Sequence, residues 1–219
     1  MDISYFRSRI PGPEIVLEDI VTNNIEDFTP ADRLPSWIAC SPRIGAGMPD
    51  VLFAYYNPEV YALSGKEFSH TQLLAFLRAI SGAQLDALII NLKYTEKNLR
   101  KYLEDLLNTN IIEQHDENYY LTKTWLNIIP TIVTVEVKVQ DWQKAVYQAS
   151  RNKIFSHQSY VALPKVISDR VKNNPIFLSQ GIGLLSIEKD IVYTEIEATK
   201  TQPQIWEYYY KLALLLANK

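Results

Sequence analysis

Glu136-Val137-Lys138 sets a carboxylate and an ammonium two positions apart in an otherwise apolar run, Thr131 to Val139 (TIVTVEVKV). Alternation along a strand puts Val133, Val135, Val137 and Val139 on one face and Thr134, Glu136 and Lys138 on the other. Charged groups in such a strand are costly to bury unless they are paired, hydrated or bound to an ion. The ordinary alternative is an exposed ion pair on a half-buried sheet. A second carboxylate, Asp50, follows Pro49 and opens the apolar run Val51-Leu52-Phe53. Taken alone it reads as a turn or strand-start aspartate. Carboxylates are hard oxygen donors of the kind that Mg²⁺ or Mn²⁺ takes, and a lysine can orient or deprotonate a water.

The elements that must carry these groups are written in period and punctuation. Pro13 suits the first turn of a helix from Glu14 to about Asn23, with Leu17, Ile20 and Val21 on one side and Glu14 and Glu18 on another. Pro30 and Pro35 mark a loop, Trp37 to Ile44 a strand, Gly45-Ala46-Gly47 a turn, and Val51 to Tyr56 a second strand. From about Ser69 to Trp125 the period is helical: Thr71 to Ile80, Gln84 to Leu92, and a third helix capped by Thr95 and running through Leu107. Ile111 to Leu121 then reads as a hairpin. After Pro130 come the Glu136 strand and a helix from Asp141 to about Phe155, with Trp142, Ala145, Val146 and Ala149 on one face and Lys144, Gln148 and Arg151 on another. Strands at 158–163, 182–188 and 191–199 and helices at 164–173 and 204–218 complete the chain.

Pro49-Asp50 followed by Glu136-Val137-Lys138 resembles the motif of the PD-(D/E)xK nuclease superfamily, the restriction-endonuclease-like fold. EVKVQDWQKAVYQASRNKIFSHQSYVALP is similar to the strand–helix–strand that carries Glu-x-Lys in bacterial members, and GIGLLSI to a strand that follows. The resemblance covers roughly residues 12–60 and 126–200. The two motif strands usually form a short hairpin, whereas Asp50 and Glu136 here stand 86 positions apart. The three helices and hairpin between them resemble a winged helix-turn-helix, and an insertion of that module accounts for the gap. The fold implied is α/β (α+β), a restriction-endonuclease-like mixed central sheet flanked by helices. Its core is discontinuous, 1–65 plus 126–219, and the inserted winged-helix segment is 66–125.

That resemblance implies a Mg²⁺- or Mn²⁺-dependent DNA endonuclease that hydrolyses phosphodiester bonds. Asp50, Glu136 and the backbone carbonyl of Val137 would hold the metal, and Lys138 would assist the attacking water. Gln148 would point into the site from the following helix, and Glu18 or Glu14 would join the metal shell from the first helix; the sequence does not choose between them. Duplex DNA would lie on Lys93, Lys97, Arg100 and Lys101 of the insert and on Lys144, Arg151 and Lys153 near the motif, with Lys165, Arg170 and Lys172 extending a basic groove. A homodimer is the simplest arrangement for a double-strand cut. The competing reading is a DNA-binding or interaction protein that keeps the fold without cleavage, and winged helices also bind proteins. Trp142, Tyr147 and Tyr160 are expected to pack rather than stack on bases, and His70, His115 and His157 show no ligand spacing.

Composition narrows the classes further. With 219 residues, 47% of them hydrophobic and 21% charged, the chain suits one or two folded domains and excludes disorder as its main state. Lys+Arg 22 against Asp+Glu 25, net −3, excludes a uniformly basic coat but not a local basic face. The single cysteine, Cys40, excludes an internal disulfide and a multi-cysteine zinc site. Charges and prolines near the start, in place of an apolar leader, set an expectation of cytoplasmic location, and LALLLA is far short of the roughly 20 residues that span a bilayer.

Overall fold

In chain order the elements are β1 (Asp2–Tyr5), α1 (Pro13–Asn23), α2 (Ile25–Phe28), β2 (Ser36–Cys40), β3 (Val51–Tyr55), α3 (Phe68–Ile80), β4 (Ala83–Gln84), α4 (Leu85–Leu92), α5 (Glu96–Asn108), β5 (Ile112–His115), β6 (Asn118–Leu121), β7 (Thr131–Val137), α6 (Trp142–Asn152), β8 (Gln158–Pro164), α7 (Lys165–Val171), α8 (Ile176–Gln180), β9 (Gly183–Glu188), β10 (Ile191–Ile196) and α9 (Trp206–Ala217). The structure, a computed structural model, describes residues 2–29, 31–45 and 47–219. Pro30 and Ala46, which belong to the expected loop and the Gly45-Ala46-Gly47 turn, lie outside the described residues. The architecture is mixed α/β. Two compact units divide the chain: Met1–Tyr56 with Thr131–Gln204, and Asn57–Pro130 with Ile205–Lys219.

The first unit is a seven-stranded mixed sheet in the order β1-β2-β3-β7-β8-β9-β10. Pairs β2–β3, β3–β7 and β9–β10 are antiparallel, and β1–β2, β7–β8 and β8–β9 are parallel. Helices cover both faces. Val21, Ile25 and Phe28 of α1–α2 pack on Ile38, Phe53, Val133 and Val135. Ala145, Val146 and Ala149 of α6, with Val171 and Phe177, pack on Val161, Leu163 and Leu184. This double cover explains why every residue of β3 and of β7 is buried. The ordinary alternative, an exposed polar face on β7, is excluded: α6 lies over the Thr134 and Glu136 side. Two strands, β2 and β7, also end earlier than expected. β2 stops at Cys40 because Ser41 turns left-handed (φ 57°). β7 stops at Val137, although the Lys138 amide still donates to the Ala162 carbonyl at 3.1 Å.

Gly183 opens β9 beside Tyr160, whose ring occupies the space a side chain would need. An added Cβ would overlap that ring and come 2.9 Å from the Ala198 nitrogen. Tyr160 is fully buried and its hydroxyl donates to Glu197 at 2.8 Å, so it cannot swing aside cheaply. Gly183→Ala is expected to lower stability by about 1–3 kcal/mol. The check is a lower urea midpoint with an unchanged slope.

The second unit holds α3, α4, α5, the three-stranded antiparallel sheet β4-β6-β5, and α9. Its helix ends are set locally. Glu67 and His70 form a capping box on α3, and the Thr95 hydroxyl accepts from the Asn98 amide at the start of α5. Lys93 ends α4 in the left-handed conformation (φ 57°). The boundaries differ from the expected 1–65 plus 126–219 and 66–125, most clearly for α9, which belongs to this unit and not to the sheet core. Its buried Leu212, Ala213 and Leu216 face α3, the Tyr210 hydroxyl donates to the Trp125 carbonyl at 2.8 Å, and the Ile129 amide donates to the Tyr209 hydroxyl at 2.8 Å. The two ends of the 57–130 segment are clasped: the Asn57 amide donates to Ile128 at 2.8 Å and its side chain to the Asn127 carbonyl at 3.0 Å. Among the described residues, no helix is long and apolar enough to cross a membrane.

Candidate active site

Register brings the two motif carboxylates together. Val51 pairs with Val135 in the antiparallel β3–β7 ladder, so the next position outward sets Asp50 across from Glu136. The Asp50 carboxylate accepts from the Val137 amide at 2.8 Å and thereby extends the ladder with a side chain. Lys138 folds back over the same point. Its ammonium lies 3.3 Å from Asp50 Oδ2, 3.4 Å from Glu14 Oε2 and 2.8 Å from the Val137 carbonyl. The side chains of Lys138 and Asp50 are only 12% and 10% exposed. Thus α1 reaches these strand ends with Glu14 and Glu18, and α6 reaches them with Gln148 and Asn152.

Glu136 is the most enclosed of the group, at 1% exposure. Its Oε1 accepts from Asn152 Nδ2 at 2.7 Å, and no donor reaches its Oε2. The side-chain oxygen of Gln148 is likewise buried without a partner. Both residues line one small cavity of about 110 Å³, together with Gly47, Met48, Arg151 and Asn152. Two acceptors bordering the same enclosed space call for a donor or a cation between them. Burial first, and then the charge of Asp50, pushes the Glu136 carboxyl up to about 8, against the lowering effects of Asn152 and Lys138. Glu18, also 1% exposed, is raised by burial and then by Asp50, with Arg7, Arg9 and Lys138 opposing. Burial lowers the Lys138 ammonium, but Asp50 and Glu14 outweigh it and leave its pKa above the ordinary lysine value. Neighbouring carboxylates that resist joint ionisation take up either a proton or a positive ion.

The donor set fits a hard divalent ion only in part through protein groups. Among the described residues, no cluster of three or more His, Cys, Asp and Glu side chains converges at metal distance. Asp50 and Glu136 would hold such an ion, with the bare Oε2 of Glu136 as the open position. Mg²⁺ commonly takes one or two carboxylates and keeps several waters, so this set suits it. The Val137 carbonyl, the third expected ligand, accepts the Lys138 ammonium instead. Of the two α1 candidates, Glu18 lies buried beside Asp50, whereas Glu14 is half-exposed and pairs with Lys138.

Other expected residues fall elsewhere. Lys93, Lys97, Arg100 and Lys101 belong to the second unit, where Lys93 terminates α4 and Arg100 is tied to Glu96 at 2.7 Å. Lys144 and Arg151 are exposed along α6, and Arg151 borders the Glu136 cavity. In the expected basic groove, Lys165 and Lys172 are both paired with Asp169 and Glu195. Tyr160 and Trp142 pack as expected, but Tyr147 is 64% exposed between Lys144 and Arg151. Sequence reasoning missed Asn152, Arg7 and Arg9. Asn152 had a signal, since it lies four residues beyond Gln148 on one helix stripe. No protein-family model, curated protein or solved structure matches this chain.

Proposed function

We propose that the chain is a divalent-metal-dependent DNA endonuclease of the PD-(D/E)xK kind, its sheet unit a restriction-endonuclease-like core interrupted by a winged-helix module. The observation that carries this reading is the convergence of Asp50 and Glu136 across β3 and β7, with a buried unpartnered carboxylate oxygen and Lys138 beside them. A bound Mg²⁺ or Mn²⁺ would supply charge stabilisation at the phosphate and a more acidic water. Lys138 stays an ammonium at neutral pH, so its part is to orient the attacking water and offset charge rather than to deprotonate. Asp50 fixes that ammonium and Asn152 fixes Glu136. Gln148 adds an acceptor that can hold the water on the cavity side. Lys144, Arg151 and the exposed Tyr147 give α6 a face suited to a nucleic-acid backbone. Supercoiled plasmid incubated with Mg²⁺ or Mn²⁺ tests the reading: nicked or linear product supports it.

The helix–strand–helix–helix–strand–strand order of the second unit supports the winged-helix reading, yet its charges favour a partner other than DNA. Arg100 is already bound to Glu96, and the wing carries Glu113, Asp116 and Glu117. A protein-facing role is the second reading for this unit. Lys97→Ala combined with Arg100→Ala is then expected to leave duplex affinity and its salt slope unchanged. A slope shallower by about two would instead make α5 a DNA reader.

A further inference from the structure

We infer that Arg7 is the resident cation of the carboxylate cluster and that it passes to the substrate phosphate when a divalent ion binds; this rests on the endonuclease reading. Arg7 Nη2 lies 2.9 Å from Glu18 Oε1 and 3.7 Å from Asp50 Oδ1. It therefore bridges Glu18 of the first helix and Asp50 just ahead of β3. Glu136 Oε2 is the independent mark of a missing partner in the same cluster, buried and without a donor. The Arg7 side chain is 39% exposed, whereas those of Glu18 and Asp50 are 2% and 10% exposed. One edge of the guanidinium thus meets the carboxylates, and the residue lines an open cleft of about 650 Å³ with Glu14, Glu18, Val139 and Gln140.

A divalent ion and a guanidinium compete for Asp50. A divalent ion held by Asp50 would repel the guanidinium that the same carboxylate attracts, and twice as strongly as a single charge would. Arg7 would then be held less firmly by Asp50. β1 keeps the backbone in place, with Tyr5 paired to Cys40 and the Phe6 amide donating to the Cys40 carbonyl at 3.0 Å. The released fork stays in the cleft, where its planar donors match two phosphate oxygens. Arg9, anchored on Asp19 at 2.6 Å and lying 3.8 Å from Glu18, keeps a positive charge on Glu18 after Arg7 leaves.

The test uses the full chain, titrated with Mn²⁺ without DNA and read by thermal midpoint, then assayed for KM on plasmid DNA. Arg7→Ala is expected to bind Mn²⁺ about tenfold more tightly, because a competing charge is gone, while KM rises about tenfold. Arg7→Lys keeps the charge but not the fork, so its Mn²⁺ midpoint stays near wild type while KM still rises. Arg7→Gln serves for the first arm if Arg7→Ala does not fold. Mn²⁺ binding that is unchanged or weaker in Arg7→Ala and Arg7→Gln overturns the inference alone, provided the wild type responds to Mn²⁺ and cleaves. A wild type with no Mn²⁺ response overturns the endonuclease reading and this inference with it.

Discussion

Glu136→Gln is expected to reduce Mg²⁺-dependent plasmid cleavage by about 10³-fold or more, equivalent to about 4 kcal/mol of transition-state stabilisation. The amide is nearly isosteric and can still meet Asn152, so the fold should survive. What is lost is the negative oxygen that no protein donor satisfies. Lys138→Ala should cost about 10²–10³-fold, the range of removing one charged donor from a site that develops negative charge. Its effect should fall on kcat more than on KM. Single-turnover cleavage of a labelled duplex separates the two. Full activity in Glu136→Gln would sink the assignment of the site, whatever nuclease trace a preparation contains.

The second large effect is on stability and needs no turnover. In the absence of a metal, Glu136 titrates near 8 in the folded chain, against about 4.5 for an unperturbed glutamate. The folded state therefore binds more protons than the unfolded state across that window. A carboxyl raised in this way contributes stability that is fully present below about pH 4.5 and is lost as pH rises through about 8. Glu18 shifts in the same direction and adds to it. In chelator, the thermal midpoint of the wild type should fall between pH 5.5 and 8.5. The midpoint of Glu136→Gln, which has no charge to desolvate, should fall less, and its unfolding free energy at pH 8.5 should exceed that of the wild type by a few kcal/mol, the scale of a shift of this size. Adding Mg²⁺ should raise the wild-type midpoint far more at pH 8.5 than at pH 5.5, because at low pH it must displace a proton. Chelation should reverse the gain, and Glu136→Gln should show little of it. Equal Mg²⁺ responses at both pH values would refute a proton–cation exchange at Glu136.

Local signals in the sequence account for much of this. Thr95 and Asp141 announce the starts of α5 and α6, and each cap forms as its residue type requires. The adjacent strands expected at 182–188 and 191–199 form as β9 and β10, paired antiparallel around Lys189-Asp190. Asp50 and Glu136 were legible as a pair only through motif resemblance; nothing within a few residues of either says that they meet. The burial of Glu136 was not legible, since alternation alone cannot tell a strand with one covered face from a strand with two. Arg7 was invisible for a related reason. It follows a four-residue strand that pairs in parallel with residues more than thirty positions away, and such pairing leaves no local trace. The placement of α9 was also hidden, because an apolar helix stripe does not name the surface it covers.

The clasp between Asn57 and Asn127–Ile128 bears on how the carboxylate pair can assemble at all. Tyr55 pairs with Thr131 across a connection of 75 residues. Were that connection an unstructured coil, bringing its ends together would cost about 4 kcal/mol in chain entropy. With its ends clasped, the 57–130 segment holds the ends of β3 and β7 as a tight turn would, and the two strands pair like neighbours in a short hairpin. The two halves of the site are thus distant in sequence, yet the ends of the long connection between them are held as close as those of a bend.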